Sequence, residues 1–240
     1  ENVSYANCGL PYFLSDTISD RSALLLQTPE SLHRRFRLNV KVTHKVVGID
    51  RANKSVAVTD LATGETFSDS YDFLVLATGA KPRKPNLPGI EHALTLRDVE
   101  DADQLKAAVQ RSKTKTAAII GGGFIGIETA ENLVQSGFEV HIIQKNRQLL
   151  SSFEPEIVEV MQKQLESHGI TLHLGAEISE ITGNTITING KQFGCDLVIS
   201  AAGVEPDNQL AREAGLKFGS TGGLWVDEQQ RTSDEHIFAA

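Results

Sequence analysis

Two features of the sequence have residue types and spacing that support chemistry: a lone cysteine near the start and a glycine-rich segment near the middle. Cys8 lies between Asn7 and Gly9, with Pro11 close behind it, in the segment ENVSYANCGLPYFLSD. Gly9 and Pro11 indicate a turn or a helix entry, so we expect Cys8 near the start of a helix. A helix N-terminus favours the thiolate, which is the reactive form of cysteine. The alternative is that Cys8 is a small buried residue with a packing role.

The glycine-rich segment AAIIGGGFIGIETAENL has the order of a strand, a tight turn and a helix. Small and branched apolar residues at 117–120 run into the glycines, and a helical apolar pattern over 127–134 follows directly. In a dinucleotide-binding turn, the first glycine provides backbone freedom, the second lets the main chain approach a pyrophosphate, and the third permits close packing of helix against strand. Gly121, Gly123 and Gly126 have this spacing, so we expect the phosphates at the N-terminus of the helix.

The end of the next strand bears on the choice of coenzyme. An acidic residue about 20 residues past the glycines accepts hydrogen bonds from a ribose 2′-hydroxyl and repels a 2′-phosphate. Gln144 stands at this place, followed by Lys145 and Arg147. The missing acid and the two cations favour NADPH, although a neutral glutamine suits either coenzyme.

The elements that position these residues alternate between strands and helices, which predicts an α/β fold. The segment 80–92 contains three prolines and reads as a linker. The predicted elements are a helix at 32–37, a strand at 40–46, a hairpin of 55–59 with 66–67, a buried strand at 73–77, a helix at 98–111, a strand at 117–120, a helix to Ser136 capped by Gly137, a strand at 139–143, a helix from Pro155 to before Gly169, a strand at 170–174, and a hairpin that turns at Asn189-Gly190.

The chain also contains an internal repeat. YDFLVLATGAKP at 71–82 and CDLVISAAGVEP at 195–206 share an Asp, an apolar run, a Gly and a Pro at matching offsets. Each copy follows a hairpin and a strand of similar length. The repeat predicts two nucleotide-binding domains of common ancestry.

Composition excludes several classes of function. A net charge of −8 argues against nucleic-acid binding, which needs a basic surface, and Arg34-Arg35-Phe36-Arg37 reads as a solvated helix face. No apolar run reaches the roughly 18 to 20 residues that span a bilayer. Two cysteines make no disulfide framework and indicate a reducing compartment, so we expect a cytoplasmic protein. The scattered histidines predict no metal site. The ends of the chain suggest a piece of a longer protein.

Three blocks, SYANCGLPY, LATGAKP and GGGFIGIE, resemble the pyridine nucleotide–disulfide oxidoreductases, and the first block resembles their single-cysteine branch. That branch includes coenzyme A disulfide and persulfide reductases and NADH oxidases and peroxidases. The resemblance implies two Rossmann-like dinucleotide-binding domains, each with a β-meander, in which the NAD(P) domain is inserted in the FAD domain. It places part of the FAD domain at 1–95, the NAD(P) domain at 96–215, and the return to the FAD domain at 216–240. The first FAD loop and a C-terminal dimer-forming domain would lie outside this chain.

The resemblance also implies roles for individual residues. Cys8 would be the redox-active cysteine, and Phe124 stands where many members have a tyrosine that gates the flavin. The expected coenzyme A contacts are Ser4, Asn7 and Lys41. The expected cofactor contacts are Val46, Thr78 and Gly79 for FAD, and Gly121, Gly123, Phe124, Ile125, Gly126, Glu128, Gln144, Lys145, Arg147 and Gly203 for the nicotinamide coenzyme. An ordinary first-turn helix acid is the alternative for Glu128.

Dithiol members of the family carry a second cysteine at the position of Phe13, so Cys8 lacks a local partner. Cys195 opens a buried strand and reads as structural. A lone cysteine stores its oxidising equivalent as a mixed disulfide or as a sulfenic acid. The first option predicts an NAD(P)H- and FAD-dependent reductase of coenzyme A disulfide or persulfide, with a small thiol or disulfide substrate and a homodimeric assembly. The alternatives are an NADH oxidase or peroxidase that uses the sulfenic acid, and a nucleotide-binding or redox-sensing domain without turnover.

Overall fold

The computed structural model describes residues 2–240, which form two compact units. Asn2–Gln27 and Pro82–Val204 form what we call the larger unit. Thr28–Lys81 and Glu205–Ala240 form the smaller unit. The predicted division into cofactor domains at residues 95 and 215 stays a prediction, and the compact units group residues 2–27 with the glycine-rich segment.

The order of elements is mixed α/β along the whole chain. The helices are α1 (Leu10–Leu14), α2 (Pro29–Phe36), α3 (Val99–Arg111), α4 (Phe124–Gln135), α5 (Pro155–Ser167) and α6 (Gln209–Glu213). The strands are β1 (Ser4–Tyr5), β2 (Leu25–Gln27), β3 (His44–Asp50), β4 (Ser55–Asp60), β5 (Thr66–Ser70), β6 (Leu74–Leu76), β7 (Ala80–Pro82), β8 (Thr116–Ile120), β9 (Glu139–Gln144), β10 (Ile170–Leu174), β11 (Ile178–Thr182), β12 (Thr185–Ile188), β13 (Lys191–Gly194), β14 (Leu197–Ser200), β15 (Val204–Pro206) and β16 (Ile237–Ala239).

A four-stranded parallel sheet in the order β10-β9-β8-β14 forms the centre of the larger unit. Residues 117–120 of β8 and 197–199 of β14 are apolar and buried, as expected when both faces of a parallel sheet are covered. β9 and β10 also carry His141 and His173, which contact each other. The chain order reverses between β8 and β14, since β9 and β10 lie on one side of β8 and β14 on the other. Ligands of open α/β sheets bind beyond the carboxyl ends of the strands at such a reversal.

One face of this sheet packs against helices. Leu105 of α3, Leu133 of α4 and Leu165 of α5 are buried in the same cluster as Ile119 and Ile142. The helix predicted at 98–111 is confirmed as α3, because the Asp98 carboxylate accepts the Asp101 N–H at 2.8 Å and caps the first turn. The helices predicted to begin at Pro155 and to end at Ser136 are also present.

The other face of the sheet packs against the antiparallel meander β11-β12-β13. The predicted hairpin turn is confirmed, since Asn189 and Gly190 have φ values of 49° and 77° between β12 and β13. Ile181 and Ile186 of the meander are buried with Val198 of β14. The glycine-rich turn therefore projects from a sheet that is covered on both faces.

The smaller unit contains the antiparallel meander β3-β4-β5 and the parallel pair β6-β16. The predicted hairpin of 55–59 with 66–67 is confirmed by β4 and β5. The predicted strand at 40–46 is wrong at its start: β3 begins at His44, because Thr43 has a left-handed φ of 59° that interrupts extended pairing. The predicted buried strand at 73–77 is shorter, and its middle residue Val75 is 63% exposed.

The basic run predicted as a solvated helix face lies at the end of α2, and its four residues are exposed. Across residues 2–240, none of the helices combines the length and the apolar content needed for a bilayer span.

Candidate functional site

The glycine turn between β8 and α4 is held by contacts that only glycine permits at two positions. Gly121 has a φ of 108°, and a Cβ there would overlap the carbonyl of Ala201 in the loop after β14. A Cβ on Gly126, inside α4, would overlap the carbonyl oxygen of Gly121. These two glycines therefore let the loop and the helix pack closely on the strand end.

Gly123 differs from its neighbours, since a Cβ at this position would meet no atom within 4 Å. It is the N-cap of α4 with φ −88° and ψ −176°, which any residue adopts, and no side chain caps the helix there. The open space and the unpaired N–H groups of the first turn together form a cradle for an anion. The absence of a Cβ at Gly123 thus provides room for a ligand and serves no contact of the protein with itself.

A cleft of about 610 Å³ opens over this turn at the carboxyl ends of the strands. It brings together five of the residues predicted from sequence: Gly121, Gly123, Gln144, Lys145 and Gly203. The cleft lies where the sheet order reverses between β8 and β14. Its position and lining fit an extended dinucleotide that passes over the glycine turn.

Gln144, the last residue of β9, contacts the glycine turn directly. Its side-chain Oε1 accepts the Gly122 N–H at 3.0 Å. With the oxygen used in this way, the side-chain NH₂ group remains as the donor for a ligand. Lys145 and Arg147 follow as exposed cations, and no carboxylate of the described residues lies within 4.0 Å of either charge.

Five other predicted residues of this group do not line the cleft: Arg147 lies in the loop after β9, and Phe124, Ile125, Gly126 and Glu128 lie on the first two turns of α4. Phe124 is 60% exposed and makes an edge contact with Phe153 at 5.9 Å between ring centroids. Ile125 is exposed as well, and Glu128 is half-buried one turn further on.

Cys8 is exposed, which removes the alternative that it is a buried packing residue. It lies in a short 3₁₀ turn, Asn7–Gly9, that runs directly into α1. The prediction of a helix entry at Gly9 and Pro11 is therefore confirmed. Asn7 is exposed beside it, and Ser4 lies half-buried in β1.

Cys195 has the opposite character. It is 3% exposed and packs with Ile186 and Val198 beneath the meander. Burial raises the pKa of its thiol to about 11, and the neighbouring Asp196 carboxylate adds to this increase. Cys195 is therefore a structural residue, as the sequence predicts.

The residues predicted to contact FAD lie in the smaller unit. Val46 and Thr78 line a cleft of about 730 Å³, and Thr78 with Gly79 lines a second one of about 210 Å³. The Thr78 hydroxyl donates to the Asp207 carbonyl at 2.7 Å, and Gly79 has a φ of 66°. Gly203 in the other copy of the repeat has a φ of 94°, so both copies have a glycine with positive φ at the matching position.

Lys41 was predicted to contact coenzyme A, and the structure gives it a partner within the smaller unit. Its Nζ lies 3.6 Å from the Asp69 carboxylate and 5.1 Å from the centroid of the Phe67 ring. Any role in substrate binding would require this exposed ion pair to exchange partners.

Comparison with known proteins identifies the family. The family model described as pyridine nucleotide-disulphide oxidoreductase matches residues 1–240. The chain belongs to the pyridine nucleotide-disulphide oxidoreductase family. Its fold is accordingly of the FAD/NAD(P)-binding Rossmann type, as the sequence predicts.

Relatives within this oxidoreductase family include proteins of both predicted activities. The chain is 31% identical to the NADH oxidase of Methanocaldococcus jannaschii, covering 100% of this chain and 54% of the relative. It is 28% identical to the coenzyme A disulfide reductase of Staphylococcus epidermidis, covering 99% and 54%. The solved structure of reduced CoADR-RHD from Bacillus anthracis matches with a TM-score of 0.96 and 38% identity, covering 100% of this chain and 44% of that one. The chain thus spans about half the length of the curated relatives it matches.

Sequence analysis does not indicate several residues that line the cleft over the glycine turn or pack against that turn. Arg83, in the proline-rich segment taken as a linker, lines the cleft and donates its backbone N–H to the Gly203 carbonyl at 2.9 Å. Ala201 and Ala202 line it as well, and their place beside Gly203 in the repeat CDLVISAAGVEP is the signal that could have indicated them. Nothing in the sequence indicated Leu149, whose side chain fills the space where a Cβ of Gly122 would lie.

Within residues 2–240, no three side chains of His, Cys, Asp or Glu are grouped so that they could hold a metal ion.

Proposed function

We propose that the protein containing this chain is an FAD-dependent NAD(P)H oxidoreductase that reduces coenzyme A disulfide or a coenzyme A persulfide through Cys8. The exposed Cys8 carries the proposal. It lies at a helix entry, Phe13 occupies the place of a second cysteine, and the other thiol, Cys195, is buried. A thiol in this situation is suited to exchange with a small external disulfide.

The glycine cleft is the proposed site of the reduced nicotinamide coenzyme. The pyrophosphate would lie on the N–H groups at the start of α4, in the space that Gly123 leaves free. Gly203 would lie on the nicotinamide side, with Phe124, Ile125 and Glu128 on the exposed turns of the helix. Arg83 adds a positive charge to the lining, which favours a ligand that carries two phosphates.

We propose that the protein oxidises NADPH at least as well as NADH. The Gln144 oxygen accepts the Gly122 N–H, which leaves the side-chain NH₂ group as a donor in the cleft lining, at the place where an acidic residue would repel a 2′-phosphate. Lys145 and Arg147 provide charge next to it.

FAD is proposed for the smaller unit, where Val46, Thr78 and Gly79 line two clefts. When bound, FAD supplies the two-electron relay between a reduced nicotinamide and sulfur. The left-handed φ of Gly79 and the fixed Thr78 hydroxyl provide a rigid main chain for such a ligand. Ser4, Asn7 and Lys41 are proposed to contact the coenzyme A portion of the substrate.

The net reaction balances with Cys8 as the only protein thiol that changes state. Thiolate attack by Cys8 on the substrate disulfide forms a mixed disulfide and releases one coenzyme A thiolate. Oxidation of one NAD(P)H provides two electrons and one proton. The electrons break the mixed disulfide into the Cys8 thiolate and a second coenzyme A thiolate, and this proton together with one from solvent converts the two coenzyme A thiolates to thiols. Cys8 returns to the thiolate, and the chain's own residues bind and orient the reactants.

The alternative is an NADH oxidase or peroxidase in which Cys8 cycles through a sulfenic acid, and similarity to the Methanocaldococcus jannaschii NADH oxidase favours it. The third possibility is a nucleotide-binding or redox-sensing protein without turnover.

We further propose that the protein is a homodimer in the cytoplasm. Size-exclusion chromatography with light scattering would test the homodimer, and cell fractionation would test the location.

Mass spectrometry of the unreduced protein separates these functions. A coenzyme A adduct on the peptide that contains Cys8 is expected for the reductase, and one or more added oxygens without an adduct would favour the oxidase or peroxidase. The matched control is Cys8→Ser, which should lose NAD(P)H-dependent thiol release. Unchanged thiol release from Cys8→Ser would contradict every role of Cys8 in turnover.

A further inference from the structure

Lys106, on α3, contacts the end of the helix that follows Cys8. Its Nζ donates to the Phe13 carbonyl at 2.8 Å and to the Asp16 carboxylate at 2.7 Å. The same atom lies 3.8 Å from the centroid of the Phe13 ring. The Lys106 side chain is 13% exposed, so its contacts with the carbonyl and ring of Phe13 are largely shielded from water, whereas the Asp16 carboxylate is 70% exposed. A carbonyl, a carboxylate and an aromatic face thus converge on one ammonium group.

The helix that Lys106 contacts is too short to be stable alone. α1 contains five residues, whereas isolated helices below about 12–15 residues are marginal in water. Pro11 fixes the backbone at its start, but the last carbonyls of a helix have no partner within it. A lysine that donates to such a carbonyl caps the C-terminus. The order of the turn that contains Cys8 therefore depends on contacts such as this one.

Phe13 links this contact to the chemistry of the single cysteine. It occupies the position of the second cysteine of dithiol relatives, and its side chain is 5% exposed in the core of the larger unit. A cation over an aromatic face is attracted to it, more strongly when both are shielded from water. Lys106 therefore secures the residue that replaces the missing thiol.

We propose that Lys106 is a positioning residue for Cys8: by holding Phe13 and Asp16, it fixes the α1 helix and hence the place from which Cys8 reacts. This inference rests on the proposed function for its catalytic consequence. Lys106 touches no reacting atom and acts through the backbone of residues 8–16. Its loss should therefore slow the sulfur chemistry and leave coenzyme binding in the glycine cleft unchanged.

Other contacts keep the segment folded when Lys106 is replaced. The Ser15 hydroxyl donates to Asn132 of α4 at 2.6 Å, and Arg21 pairs with Asp103 of α3 at 2.8 Å. The variant Lys106→Met, which keeps the length and apolar stem of the side chain, is thus expected to fold. Lys106→Arg retains the charge, and Lys113→Met is the matched control because Lys113 is an exposed lysine whose side chain has no partner among residues 2–240.

The test combines hydrogen–deuterium exchange with steady-state kinetics on the intact protein. For Lys106→Met we expect exchange of the amides at 9–16 to be about 5–30 times faster, the consequence of losing one or two kcal/mol of local stability. We expect kcat for disulfide reduction to fall about tenfold with the KM for NAD(P)H within about twofold, because misplacement of a reacting group costs rate. Lys106→Arg should recover most of both losses.

Two results would overturn the inference: exchange at 9–16 in Lys106→Met equal to that in Lys113→Met, or a rise in the KM for NAD(P)H in place of the fall in kcat. Phe13→Leu offers a second route, since it removes the ring and should also accelerate exchange at 9–16. The Cys8→Ser variant tests the proposed function separately. Hydrogen–deuterium exchange at 9–16 reports the Lys106 contact whether or not Cys8 takes part in turnover.

Discussion

Replacing Gly123 with alanine is expected to weaken coenzyme binding while leaving the fold intact. The backbone at Gly123 has φ −88°, and a methyl group there would meet no protein atom within 4 Å. The structural cost is that of exchanging a helix N-cap glycine for alanine, below about 1 kcal/mol. The methyl group would occupy the space proposed for the pyrophosphate, so we expect the Kd for NAD(P)H to rise at least about tenfold, or about 1.4 kcal/mol.

Gly121→Ala should behave in the opposite way. Its φ of 108° and the overlap of a Cβ with the Ala201 carbonyl would both have to be accommodated by the protein. Left-handed strain of about 1–2 kcal/mol and overpacking of about 1–3 kcal/mol predict a loss of roughly 2–5 kcal/mol in the free energy of unfolding. The substitutions at Gly123 and Gly121 thus distinguish a glycine needed for ligand binding from a glycine needed for folding.

Urea denaturation and calorimetric titration with NADPH and NADH measure the two quantities. Gly194→Ala is the control, because Gly194 ends β13 outside the cleft and a Cβ there would make only an ordinary contact with the Asn184 carbonyl oxygen at 4.0 Å. A wild-type Kd for both coenzymes in Gly123→Ala would refute the reasoning, as would a destabilisation as large as that of Gly121→Ala.

Two further substitutions test the coenzyme and the scaffold. Gln144→Glu keeps an oxygen for the Gly122 N–H but adds an acceptor, so the ratio of kcat/KM for NADPH over NADH should fall at least about tenfold in steady-state assays. Asp196→Asn should lower the free energy of unfolding by about 1 kcal/mol, measured by urea denaturation at pH 7, because its amide oxygen can still accept these hydrogen bonds but without the strength that the carboxylate charge adds. The Ser112 hydroxyl and then the N–H groups after α3 lower the pKa of Asp196, so this contribution is present above about pH 4 and disappears as the pH falls further.

Gln144→Glu and Asp196→Asn each have a control variant and a result that would contradict the prediction. Gln135→Glu adds the same charge at the far end of α4 and should not change the coenzyme ratio; an unchanged ratio in Gln144→Glu would contradict the role of Gln144. Asp72 is the counterpart of Asp196 in the internal repeat, but it is exposed. Equal effects of Asp72→Asn and Asp196→Asn, or a stability difference that persists unchanged at pH 2, would contradict the account of Asp196.

The glycine turn, α3 and the hairpin at Asn189-Gly190 could be predicted because local sequence determines them. Asp98 caps a helix, and glycine or asparagine favours left-handed turns. The start of β3 could not be predicted in this way: Val40 and Val42 alternate with polar residues as in a strand, and only the left-handed Thr43 ends the pattern. The exposure of Val75 likewise depends on which strands cover β6, and an apolar run carries no such information.

The site was predictable where it depends on residue type and not where it depends on tertiary contact. Gly121, Gly123, Gln144 and Gly203 are all in one cleft, as the motif implied. The bond from Gly122 to Gln144 joins two strand ends, and Arg83 enters the cleft from a segment without a motif. Such contacts arise from the topology of the sheet and have no local signature.

The central claim is that Cys8 changes redox state at the expense of NAD(P)H, and differential alkylation tests it most directly. The isolated protein is treated with iodoacetamide at pH 8 before or after incubation with NADPH under argon, and the labelled peptides are quantified. We predict that Cys8 is labelled only after NADPH, whereas Cys195, whose pKa is raised to about 11 by burial, stays unlabelled in both samples. Equal labelling of Cys8 with and without NADPH would contradict the account.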